Sequence, residues 1–181
     1  MTVREVMWAP VRAPGLEHCR LRDTDAEGLV VAVQDGASFR ARYAIEWDRE
    51  WRVRGLRVDV EGGQSLELRA DGAGTWEGPG GAVLALHDCV DVDLSATPFT
   101  NTIPIRRLDL APFDSRELKV AYIDVPSLRV GVAIQRYTCL VRRDDGTMHR
   151  FESGKFRADL TCDADGLVIE YPRGWTRVWP R

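Results

Sequence analysis

A chain of 181 residues, 44% hydrophobic and 29% charged, has an ordinary globular composition and is long enough to bury roughly two-thirds of the surface its unfolded form exposes. Its net charge of −3 supplies no overall attraction to nucleic acid or anionic membranes, which argues against a nucleic-acid partner. The four cysteines (Cys19, Cys89, Cys139 and Cys162) are dispersed, with no CxxC pair and no histidine at zinc-finger spacing, so reduced, buried thiols are expected, with no metal and no cofactor.

The first eighteen residues carry charges and prolines where a signal peptide needs an uninterrupted apolar stretch. No later segment approaches the ~18 apolar residues of a membrane-spanning helix. A cytoplasmic location without integral membrane association is therefore expected. Strands are predicted at 17–22 and 29–34, and then over 39–47, where Phe39, Ala41, Tyr43, Ile45 and Trp47 fall on one face and Arg40, Arg42 and Glu46 on the other. In the next run Trp51 and Val53 keep one phase while Leu56, Val58 and Val60 take the opposite one, which predicts a β-bulge at Gly55.

Further strands are expected at 65–70, 82–86, 90–94, 102–108, 117–125, 128–142, 147–153, 156–162, 167–171 and 175–179. Glycine-rich and Asp-Gly turns separate them at short, regular intervals. No linker or charge block divides the chain. The expectation is an all-β protein: one domain over 1–181, a single curved antiparallel sheet forming a half-barrel or barrel, and little helix.

Few residues offer catalytic chemistry. The run HisAspCys at 87–89 puts a thiol near a possible base, but neighbouring strand residues alternate between faces and a catalytic Cys89 is not expected. Asp91 and Asp93 share a strand face, read as solvated, with Val92 and Leu94 behind it. Asp163, Asp165 and Gly166 read as a hairpin turn rather than a calcium loop. The six tryptophans, Trp175 among them, read chiefly as core side chains, with sugar stacking as the sharper alternative.

The segment DLSATPFTNTIPIRRL at 93–108 differs from the rest, with its hydroxyls, the amide of Asn101, two prolines and adjacent arginines. As a strand it would turn Arg107 toward the face of Ile103 and Ile105. A buried arginine needs an anion, and the alternatives are a structural partner such as Asp93 or Asp109, or a ligand.

This same run resembles the marker DLxxTPFTNTLPIRRL of a bacterial family called putative glycolipid-binding proteins, formerly a domain of unknown function; Ile103 stands where that family often has Leu. The resemblance continues through Trp8, through Tyr43, Ile45 and Trp47, through DGAGTW at 71–76, Gln135 and Tyr137, and through FRADLTCDADGLVIEYP at 156–172. It implies a fold like the curved half-barrels of lipoprotein carriers, which hold lipid chains against a concave sheet. The leading expectation is a non-enzymatic protein binding an amphiphilic small molecule, a lipid or glycolipid, through Asp93, Thr97, Phe99, Asn101, Arg106, Arg107, Gln135 and Tyr137. The rivals are an enzyme using Asp93 with a histidine such as His87, and a module that forms a homodimer through a strand edge.

Overall fold

The computed structural model describes residues 3–180, and over them the period-two alternation resolves into strands. The N-terminal half is a meander: β1 (Arg4–Pro10), β2 (Gly15–Leu21), β3 (Asp25–Gln34), β4 (Ala37–Trp47), β5 (Val53–Val60), β6 (Ser65–Ala70), β7 (Trp76–Gly78) and β8 (Gly81–Ala82). After β9 (Asp91–Leu94) come β10 (Ser115–Asp124), β11 (Arg129–Arg143), β12 (Gly146–Ser153), β13 (Phe156–Asp163), β14 (Val168–Tyr171) and β15 (Trp175–Trp179).

All of these strands share one sheet. Its order runs from β8 back to β1, crosses to β15 and descends to β9, so it curls without closing and β8 and β9 are its edges. Antiparallel pairing of β1 with β15 brings the two ends of the chain together in the middle of the sheet. The bulge lies where the sequence placed it: Glu46 faces Gly55 but Trp47 faces Val53, leaving Arg54 as the extra residue.

One pairing is parallel, that of β9 with β10. A parallel neighbour cannot be reached by a hairpin and needs a crossover of about a dozen residues or more, usually containing a helix. The stretch 95–114 is that crossover, with a 3₁₀ turn at Phe99–Asn101 running directly into α1 (Thr102–Leu108). The expected strand at 102–108 is thus corrected to a helix. Pro104 sits in its first turn, where the missing N–H has no intrahelical partner to lose. The predicted strand at 82–86 is corrected too: only Gly81–Ala82 pairs, and Leu84–Leu86 forms a 3₁₀ turn. The strand β1 was not anticipated, because charges and prolines at 4, 5, 10 and 14 obscure its alternation.

The crossover lies inside the curl. Its Phe99 and Ile103 join a core built on Val6, Trp8, Ile45 and Trp47, while Ile105 joins a second cluster around Tyr137, Phe151 and Leu160. The cysteines are all buried and free, as expected. Among the described residues, no helix is long and apolar enough to cross a membrane.

Candidate functional site

The segment from Asp91 to Arg107 threads through the curl, and its polar side chains are consequently held from both sides. Asp91 is 1% exposed and Asp93 half-buried, which corrects the expectation of a solvated carboxylate face. Arg107 donates to Asp91 from Nε at 2.9 Å and from Nη2 at 2.5 Å. The anion that Arg107 required is therefore Asp91, not Asp93 or Asp109. Burial pushes the Asp91 carboxyl above the usual carboxylate range, and Arg107 opposes that shift.

Asp93 accepts hydrogen bonds from Thr100 Oγ1 (3.1 Å) and Gln135 Nε2 (2.6 Å). Burial raises its pKa as well, against the pull of both bonds. Behind it the Tyr137 hydroxyl donates to Asn101 Oδ1 at 2.9 Å, and Asn101 Nδ2 donates to the Pro98 carbonyl. Thr97 Oγ1 receives the Phe99 amide and donates to Glu17 Oε1 at 2.6 Å. Tyr43 donates to that same oxygen at 2.5 Å, while Glu17 Oε2 has no partner. Burial dominates at Glu17 and carries its pKa up to about 8 despite the bonds from Thr97 and Tyr43.

A cavity of about 460 Å³ opens beside this network. Asp93, Ser95, Thr97 and Asn101 form one wall; Phe151, Phe156, Tyr171 and Trp175 form the aromatic one. Those four rings touch in succession, with centroids 6.1, 6.0 and 5.4 Å apart. Arg173 lies over the Phe156 ring at 5.3 Å, and the exposed Arg12 also borders the opening. A smaller hollow of about 230 Å³ shares Pro10, Ala13, Ser95 and Trp175 with the cavity and continues between Val30, Ala32 and Phe39, with Glu17 on its wall.

Of the residues singled out in the sequence, Asp93, Thr97 and Asn101 line the cavity, and Gln135 and Tyr137 brace them from behind. Phe99 is in the core, its ring 5.7 Å from that of Trp47. Arg107 is committed to Asp91. Arg106 is exposed, lies over Trp51 at 5.2 Å and borders a different hollow. The aromatic wall apart from Trp175, which the sequence offers as a stacking candidate, and Glu17 were missed. The signal for Glu17 was present: Glu17, Cys19 and Leu21 alternate onto one face of β2.

The rival chemistry does not converge. His87 is exposed, sits beside Asp88 (Nδ1 to Oδ1 3.0 Å) and is not part of the cavity lining around Asp93. Cys89 is buried, and burial raises its thiol pKa, opposite to the shift that activates a nucleophile. Asp163 Oδ1 accepts the amides of Asp165 and Leu167, both at 3.0 Å, as a hairpin turn requires. Among the described residues no cluster of His, Cys, Asp or Glu could hold a metal ion.

The sequence profile of the family described as "Putative glycolipid-binding" matches residues 5–177. No curated protein matches the chain. Among solved structures, the crystal structure of a DUF1089 family protein from Pseudomonas aeruginosa is similar, with a TM-score of 0.81 and 36% identity over 91% of this chain and 92% of that one.

Proposed function

The chain belongs to the family described as "Putative glycolipid-binding", and from that membership we propose that it is a non-enzymatic binding protein for an amphiphile with a sugar-like polar end and an apolar tail. The observation that carries this reading is the cavity in which a carboxylate faces a continuous run of aromatic rings. A sugar presents C–H faces that stack on aromatic rings and hydroxyls that donate to a carboxylate. Asp93 accepts one bond on each oxygen, from Thr100 and from Gln135, and an ionised carboxyl has about four acceptor positions. Hydroxyl donors from a ligand therefore have a place to go. The apolar tail follows the adjoining hollow past Val30, Ala32 and Phe39. The main cavity lies in the range of about 300–1,000 Å³ common for small-molecule sites.

The experiment is native mass spectrometry with lipid extraction, before and after delipidation and with add-back of a panel of amphiphiles. One amphiphile per chain that is lost on delipidation and rebinds is the expected result. Phe156→Ala should weaken rebinding while the protein stays folded. A preparation that is reproducibly empty and takes up none of the panel overturns the reading.

A further inference from the structure

The inner face of β12 runs past two hollows. Thr147, His149, Phe151 and Ser153 alternate onto one side of the strand. Phe151 and Ser153 line the cavity described above, whereas Thr147 and His149 line a separate one of about 310 Å³ at the opposite end. That second hollow is bordered by Arg106, Asp109, Arg142 and Asp163 as well.

Arg142 gets there through a defect in the ladder. On β11, Gln135, Tyr137 and Cys139 face Ser153, Phe151 and His149. Strict alternation would turn Arg142 to the outer face. The register slips between Cys139 and Val141, so Arg142 falls opposite Thr147 instead and joins the inner set.

The polar groups here lack partners. His149 is 1% exposed, and neither of its ring nitrogens makes a hydrogen bond; nor does Thr147 Oγ1. These are three of the five buried side-chain polar atoms without a partner among the described residues. A buried polar atom without a partner is unfavourable, so finding these on two residues that line one hollow calls for an occupant. Burial first, and Arg142 second, push the His149 pKa down to about 4. The ring is therefore neutral at pH 7, with one N–H donor and one bare nitrogen.

The charges select the occupant. Asp163 is already met by Arg4 and Arg177, and the Arg142–Asp109 contact (2.8 Å) involves an aspartate that is largely exposed, where ion pairs are weak. Arg106 has no carboxylate partner among the described residues and stands over Trp51. We infer that this hollow binds a phosphate group, free or as a phosphomonoester. The imidazole N–H and the Thr147 hydroxyl donate to its oxygens, and the two guanidinium groups meet its charge. The inference does not rest on the amphiphile reading.

The test is a titration of the full, isotope-labelled chain with inorganic phosphate, following the imidazole resonances of His149 by NMR at ionic strength matched with sodium chloride. Saturable shifts of His149 are expected, with its pKa rising by about one unit or more as an anion comes to lie beside it. Arg106→Gln, a change on the surface that leaves the core intact, should weaken phosphate about tenfold or more. Phe156→Ala should leave it unchanged. Tighter binding of glycerol phosphate than of inorganic phosphate would assign the site to an ester, and the reverse order to the free ion. An absent response, or one that chloride reproduces, means that the hollow holds only water and overturns the inference, as does an Arg106→Gln protein of unaltered affinity.

Discussion

Glu17 carries a proton into the interior. Two hydroxyls donate to one of its oxygens, which favours the ionised form, yet burial outweighs them. Its pKa rises from 4.5 to about 8 on folding, so the folded state holds the proton more tightly than the unfolded chain. The stability this confers is complete below pH 4.5, declines as pH rises through the window to about 8, and is gone above it. Glu17→Gln removes the titration while keeping the accepting oxygen. At pH 7 the variant should gain up to about 3 kcal/mol on the wild type, at about 1.4 kcal/mol per pH unit above 4.5. Urea melts of both proteins at pH 5, 7 and 9 check this; a difference that does not change with pH would contradict the burial account. Gly28 protects the same group. A Cβ there would lie 2.1 Å from Tyr43 Cε1 and 2.5 Å from its hydroxyl, so Gly28→Ala must displace the ring that donates to Glu17. A loss of about 2 kcal/mol or more is expected in denaturant melts, although alanine is ordinarily the better strand residue. The phase of β2 placed Glu17 inward in the sequence; the close approach of Tyr43 to Gly28 depends on the pairing of β3 with β4 and has no local signature.

The helix α1 depends on one ion pair and one hydroxyl bond, from Thr102 Oγ1 to the Gly166 carbonyl at 2.9 Å. Removing Arg107 leaves Asp91 buried and unpaired, which typically costs 3–5 kcal/mol; replacing both partners by apolar residues of similar volume is often neutral. Arg107→Met should therefore lower stability by about 3 kcal/mol or more, and Arg107→Met with Asp91→Leu should recover most of it, as a double-mutant cycle from denaturant melts will read. A double variant as unstable as the single one would mean that the pair is not what docks the helix. At the level of elements, the long strands were legible because alternation over many residues is unambiguous. A seven-residue helix was not, since Ile103 and Ile105 fit a period of two as readily as the first turn of a helix. What demands a helix there is the parallel pairing of Asp91–Leu94 with Val120–Ile123, a relation between distant segments. Arg107 nonetheless found a carboxylate, because in a helix it still shares a face with Ile103, four residues earlier.

As a whole the molecule is a curl with a plug. The sheet ends on a two-residue strand, β8, and a four-residue one, β9, edges too short to template a long added strand, which weighs against dimerisation through an edge. The crossover fills the middle and leaves a hollow on either side of it, one lined by aromatic rings and one by polar and charged side chains, with no lining residue in common. Sites without shared partners are expected to respond independently, with effects that add. Phe156→Ala removes a ring that touches Phe151, Tyr171 and Arg173 but lines no part of the hollow at His149, so it should weaken amphiphile binding several-fold and leave phosphate affinity unchanged. Arg106→Gln should do the reverse, and the double variant should carry both losses at their single-variant size. Parallel titrations of the four proteins with an amphiphile and with inorganic phosphate decide this. A variant that alters both affinities would mean that the crossover is not a rigid plug: its route from Thr97 and Asn101 on one side to Arg106 on the other would then be a physical link by which filling one hollow changes the other.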